Sequence, residues 1–162
     1  MNIENWENDL KIIWEKLGQI PDEQFIDAIQ KHTEKIDNTE FKAIVDCEKA
    51  CALDSTGHEK EAEPLYRSAL KFGLNGLRRR RANIQLASTL RNNGKFTESI
   101  EILKKEKENY SDELDDAVNS FLALSLSSIN EDKKALSLVL ESLSKHLPRY
   151  NKSVLNYSKK LE

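Results

Sequence analysis

The chain has 162 residues, 33% charged and 38% hydrophobic, with only five Gly, three Pro and a formal net charge of −3. That composition excludes a turn-rich β-sandwich, and the periodic apolar residues exclude a disordered chain. No run approaches the ~18 apolar residues of a membrane span, and the acidic, polar start MNIENWEND does not read as a secretory signal, so a cytoplasmic protein is expected.

Taken in order, Ile3, Trp6, Leu10, Ile13 and Leu17 recur at three- and four-residue spacing, which predicts a first helix stopped at Gly18. Pro21, Asp22 and Glu23 suit the first turn of a second helix, with Phe25, Ile29, His32 and Ile36 as its buried face. Asp37, Asn38 and Thr39 are N-cap types for a third. Long helices are then predicted at 39–56, 58–72, 76–93, 95–108, 112–129 and 131–146. Pro64 lies early in the second of these and predicts a mild bend. A last helix after Pro148 carries Tyr150, Val154, Tyr157 and Leu161 on one face.

Three turn residues set a repeat: Gly57, Gly94 and Asn130 follow one another at 37 and 36 residues. Asn is the second choice after Gly where the backbone turns left-handed. Seven residues before each turn stands Ala50, Ala87 or Ala123, and four before it Leu53, Leu90 or Leu126. Five after it stands Ala62, Ser99 or Ala135, and nine after it Tyr66, Leu103 or Val139. Small residues let two helices cross closely, and the large apolar ones fill the gap between pairs.

The stretches ACALDSTGHEKEAEPLYRSAL and LASTLRNNGKFTESIEIL, with the weaker FLALSLSSINEDKKALSLVL, resemble tetratricopeptide repeats of a bacterial subgroup of small stand-alone proteins, over roughly residues 40–146. The resemblance implies an all-α, tetratricopeptide-like solenoid of about three helix-turn-helix repeats. Residues 1–37 would form N-terminal capping helices, 38–146 three helix pairs and 147–162 a C-terminal capping helix, as a single compact unit. Trp6 and Trp14 are then expected inside the N-terminal end. Two departures stand out. The family's aromatic near the start of each first helix is Asp46, Asn83 and Asn119 here, and its small residue late in the second repeat is Glu106. The periods are also long, with the extra residues near Phe72–Leu77 and Tyr110.

In this family the first helix of each pair lines a concave groove. The resemblance therefore implies a partner-binding surface of Cys47, Cys51 and Asp54 in the first repeat. Arg81, Ile84, Ser88, Arg91 and Asn92 would follow in the second, and Ser120, Leu124 and Ser127 in the third. Such a surface suits an extended or helical peptide bearing a carboxylate, because arginine pairs with carboxylates through two parallel hydrogen bonds. Family members that clamp a chaperone tail use a lysine and asparagine pair where Cys47 and Cys51 stand, which argues against that ligand.

Other chemistry finds little support. Cys47 and Cys51 sit one helical turn apart and are read as free thiols. With His58 they lack a fourth zinc ligand. No Ser–His–Asp set or phosphate loop occurs, so the expectation is a non-enzymatic module without metal or cofactor. Its partner would be a protein or peptide. The alternatives are a self-associating dimer and, less favoured, a nucleic-acid binder. Residues 1–63 hold 16 acidic and 7 basic side chains and 64–162 hold 12 and 18, so oppositely charged ends could join protomers. Arg78, Arg79, Arg80 and Arg81 form the densest charge run. A helix spreads four consecutive residues around its circumference, which weakens a nucleic-acid reading.

Overall fold

A computed structural model describes residues 3–36 and 41–161. Nine helices run in chain order among the described residues: α1 Ile3–Trp14, α2 Asp22–Thr33, α3 Lys42–Asp54, α4 Glu59–Lys71, α5 Gly76–Asn92, α6 Phe96–Asn109, α7 Asp115–Ser127, α8 Asp132–Ser144 and α9 Asn151–Ser158. The N-cap candidates Asp37, Asn38 and Thr39 lie outside the described residues. The chain divides into two compact units, residues 1–82 and 83–162. That division falls inside α5.

Helices joined in sequence also pack in sequence. In the first unit α1 meets α2, α2 meets α3, and α3 meets α4; in the second α6 meets α7, α7 meets α8, and α8 meets α9. Sequential packing of this kind is what repeated helix pairs produce, since each pair buries its apolar face on the next; side chains also reach across to helices further along, as Trp14 of α1 does to Glu48 of α3.

The three aligned turns share one geometry. Gly57, Gly94 and Asn130 all have positive φ, at 79°, 76° and 63°. The next amide closes on the carbonyl five residues back: His58 N–H to Leu53 O at 2.9 Å, Lys95 to Leu90 at 2.8 Å and Glu131 to Leu126 at 3.0 Å. These are helix C-caps of the six-to-one kind, which only a left-handed residue can close. Gly73 ends α4 the same way, with Leu74 N–H on Ala69 O at 3.3 Å, and so absorbs part of the lengthened connection. The extra residues Phe72, Leu77 and Tyr110 are exposed.

Small residues sit at the helix crossings as the repeat demands. Ala50, Ala87, Ala62 and Ser99 are fully buried, and Ala123 and Ala135 nearly so. Ser99 adds a polar tie, its hydroxyl donating to Ala87 O at 2.6 Å and lying 2.8 Å from Ser125 Oγ. Tyr66 and Leu103 are fully buried, but Val139, their counterpart in the third copy, is 44% exposed. The gap-filling expectation fails there because α9 lies along the α8 face that carries Ser137, Glu141 and Ser144.

The departures from the repeat pattern compensate one another. Asp46 on α3 accepts from Ser68 of α4, Asn83 on α5 donates to Glu106 of α6 at 2.7 Å, and Asn119 on α7 donates to Ser142 of α8 at 3.0 Å. Where an aromatic would press on a small residue, this chain places a polar group on each helix of the pair, and at least one of the two is buried. Glu106 is the partner that Asn83 requires, since an unmatched buried polar group costs about 1–3 kcal/mol.

At the N-terminal end Trp6, Leu10, Phe25, Ile29 and Ala52 form one core, with Trp14 packed against it. Trp6 stacks on His32 at 5.1 Å between ring centroids. Its Nε1–H donates to His32 O at 3.2 Å, while His32 Nε2–H donates back to Trp6 O at 3.0 Å. The second unit has its own core, built on Leu103, Val118, Leu122 and Leu126, which also takes in Ile84 and Ala87 of α5.

Two expected details are corrected. Pro21 stands one residue before α2, not within it. The face expected on the last helix is not its buried one: Tyr150 precedes α9 in a left-handed conformation and is 74% exposed, Tyr157 is 65% exposed, and Leu161 lies beyond the helix end. Ser158 is buried instead. α4 continues unbroken through Pro64.

Candidate functional site

In the first unit α3 carries Cys47, Cys51 and Asp54. Cys47 is buried, at 3% exposure, so its side chain belongs to the interior and leaves the expected surface. Cys51 is half-buried, and the Tyr66 hydroxyl lies 3.4 Å from both its Sγ and Asp54 Oδ2. The hydrogen bond from Cys47 pulls the Cys51 thiol below its ordinary value, with Tyr66 adding to the effect. The same bond, together with burial, pushes Cys47 up. Burial, and then the negative character of Cys51 and Asp54, raises Tyr66. No group of three or more metal-ligating side chains occurs among the described residues.

Beside these thiols lies a polar network that the sequence did not reveal. Glu48, only 9% exposed, accepts from Trp14 Nε1–H at 2.9 Å and lies 3.5 Å from Arg78. Arg78 also makes a two-pronged pair with Glu7, at 3.1 and 2.9 Å. Burial raises Glu48 above the usual carboxylate value, opposed by Arg78 and Trp14. Burial alone would lower Arg78, but the Glu7 hydrogen bonds and the Glu48 charge outweigh it, so Arg78 is raised. Glu7 is 71 residues from Arg78 in sequence, and no local pattern announces the pair.

The arginine run is dispersed by helix geometry. Arg78 is engaged with carboxylates, Arg79 is half-buried, Arg80 is 2% exposed, and Arg81 alone is open to solvent. The run therefore offers no continuous basic face, and the nucleic-acid reading loses its ground.

In the second unit Ile84 lies in the core at 4% exposure, because its side chain points toward Val118 and Leu122, and it too leaves the expected surface. Ser88 and Arg91 are half-buried and Asn92 is exposed. The Arg91 guanidinium donates to Asn92 Oδ1 at 3.0 Å, while its Nε–H is buried without a hydrogen-bond partner among the described residues. On α7, Ser120, Leu124 and Ser127 are all exposed, a row at four- and three-residue spacing. Ser120 donates to Asp116 O at 2.6 Å and Ser127 to Asp132 at 2.8 Å, while Leu124 stands 48% exposed between them.

The family model described as a tetratrico peptide repeat matches residues 43–161, from the second residue of α3 to beyond α9. No curated protein and no solved structure matches the chain. No helix among the described residues is long and apolar enough to cross a membrane.

Proposed function

The chain belongs to the tetratricopeptide repeat family, whose repeats mediate protein–protein interaction, and from that premise we propose a non-enzymatic module that holds a carboxylate-bearing peptide against the first helices of its pairs. The observation that carries this reading is Arg91. Its guanidinium is fixed on one side by Asn92, and its buried Nε–H is unmet. Leaving a donor of a charged group unmet in the interior is costly, and the half-exposed guanidinium can still pair with a ligand carboxylate through its terminal N–H groups. The exposed Leu124, flanked by two serines, offers an apolar contact on α7. Of the residues expected from the sequence, Cys51, Asp54 and Arg81 in the first unit and Ser88, Arg91, Asn92, Ser120, Leu124 and Ser127 in the second are not fully buried.

The test is affinity capture from native lysate with wild type and an Arg81→Glu/Arg91→Glu variant of unchanged helicity. A protein bound by wild type alone supports the reading. The same set on both baits removes it.

A second reading is self-association. Leu136, Val139 and Leu143 form an exposed apolar row on α8, at 49%, 44% and 47% exposure. An apolar joint would persist as salt rises, whereas a joint between oppositely charged ends would loosen. Sedimentation at several protein and salt concentrations separates the two, and a monomer throughout dismisses both.

A further inference from the structure

We propose that the cleft formed by α6, α8 and α9 is a binding site for a phosphorylated polyol, separate from the peptide surface on α5 and α7. The cleft encloses about 530 Å³, inside the range of roughly 300–1,000 Å³ typical of small-molecule sites. Three lysines from three stretches of chain converge on it: Lys107 at the end of α6, Lys145 after α8 and Lys159 after α9. One carboxylate, Glu141, shares the lining. Asp116 pairs with Lys145 and Glu141 with Lys107, so the three lysines outnumber their carboxylates by one and the cleft stays positive. A phosphate monoester, with three strong acceptor oxygens, can meet the spare N–H groups of all three lysines at once. The chain behind the site reinforces this positive charge, since residues 145–161 hold five Lys or Arg and no Asp or Glu.

The ammonium groups are held with donors to spare. Lys107 spends two N–H groups, on Asn119 Oδ1 at 2.8 Å and Glu141 Oε2 at 2.9 Å, and keeps one of its three. Lys145 is steadied by Asp116 at 2.7 Å, and the same carboxylate also receives His146 at 3.0 Å. Lys159 has no ion-pair partner among the described residues and keeps its full donor set. Ser144 donates to Glu141 O at 2.7 Å and Ser158 to Leu155 O at 2.8 Å. Both serines are buried along the cleft wall, and Ser144 at 3% exposure gives only a narrow polar edge to it. Glu141 is an acceptor, and Leu155 gives the cleft an apolar wall. Donors for an anion and an acceptor for hydroxyls in one cleft describe a sugar phosphate or the phosphorylated inositol headgroup of a lipid.

The experiment titrates the full chain, observed by amide NMR at low salt, with glucose 6-phosphate, inorganic phosphate and glucose in parallel. A co-sedimentation arm uses phosphatidylcholine vesicles carrying about 5% phosphatidylinositol 4-phosphate. The proposal expects saturable shifts at Lys145, Leu155 and Lys159 with glucose 6-phosphate, weaker ones with phosphate and none with glucose. Vesicle binding that soluble glucose 6-phosphate competes away assigns the site to both sources, and vesicle binding without a soluble response assigns it to the lipid headgroup. Lys159→Glu should weaken binding at least about tenfold, equivalent to about 1.4 kcal/mol, while Lys152→Glu, also exposed and on α9 but outside the cleft, should leave it within about twofold. Lys145→Gln supplies a second, milder loss. Equal responses to phosphate and glucose 6-phosphate, equal losses in Lys159→Glu and Lys152→Glu, or no saturation with any probe would each overturn the proposal.

Discussion

The two units bury polarity in different chemical forms. Residues 1–82 bury charge: Asp46, Glu48, Glu63 and Arg80 are all at or below 9% exposure. Residues 83–162 bury mainly neutral groups, among them Thr89, Ser99, Asn119, Ser125, Ser137 and Ser142, with Glu106 as the charged exception. Neutral hydroxyls are satisfied cheaply, often by a carbonyl of their own helix, as Ser125 is by Phe121 O at 3.0 Å. Buried charges need partners brought from other helices, as Glu48 needs Trp14 and Arg78. The difference teaches that pH should act on the interior of the first unit and scarcely on that of the second.

The largest expected effect tests the equivalence of the repeats. Leu103→Ala should cost about 2–5 kcal/mol, because it empties a fully buried site in the second unit. Val139→Ala, at the matching position of the third copy, should stay within about 0.5 kcal/mol, since the side chain is 44% exposed. Equal losses in urea denaturation would mean that the third copy is packed like the second.

Next comes the polar clamp between helix partners. Asn83→Leu removes the 2.7 Å bond to the Glu106 carboxylate and should cost about 1.5–3 kcal/mol. Asn83→Leu combined with Glu106→Ala should recover part of that loss, because the pair restores the apolar and small types of the family pattern. No recovery in the double-mutant cycle would break the claim of compensating departures.

The pH comparison gives a smaller effect. The folded-state pKa of Glu48 is raised by burial, so its protonation favours the folded state below the unfolded value of about 4.3. That contribution is lost as pH rises through the folded value. Wild type should therefore lose stability relative to Glu48→Gln on going from acid toward neutral pH. Asp116 in the second unit has the opposite sign. Hydrogen bonds from Lys145 and His146 lower it, so its contribution is present above about pH 4 and lost as pH falls through the folded value. Asp116 is solvent-accessible, so the effect should be only about 0.2–0.5 kcal/mol. Parallel pH profiles for Glu48→Gln and Asp116→Asn would contradict the contrast. The smallest effect concerns Tyr150, a non-glycine residue at φ 67° with an exposed side chain. Tyr150→Gly should raise stability by about 0.5–1 kcal/mol, read as a higher midpoint in thermal denaturation.

Much of the fold was legible because its signals are local. The aligned Gly57, Gly94 and Asn130 mark left-handed caps, and the alanines and Ser99 mark crossings, each set by backbone geometry that a few neighbouring residues determine. What escaped depends on distant partners or on helix phase. Glu7 and Arg78 meet across 71 residues, and Glu48 gives no sign in sequence of being buried. Cys47 and Ile84 were assigned to the surface by their repeat positions, yet their side chains are claimed by neighbouring helices. Tyr150 adopts a left-handed conformation before α9, which no periodicity encodes. The lysine cleft likewise needs residues 107, 145 and 159 assembled by packing.

The central claim is that a carboxylate-bearing peptide is held on α5 and α7 through Arg91. Its most direct test is amide NMR of the full chain titrated with the peptide of the captured partner. The account predicts shifts centred on Ser88, Arg91 and Asn92 and on Ser120, Leu124 and Ser127, abolished by Arg91→Glu. Shifts centred instead on Leu136, Val139 and Leu143, unchanged in Arg91→Glu, would contradict it and place the working surface on α8.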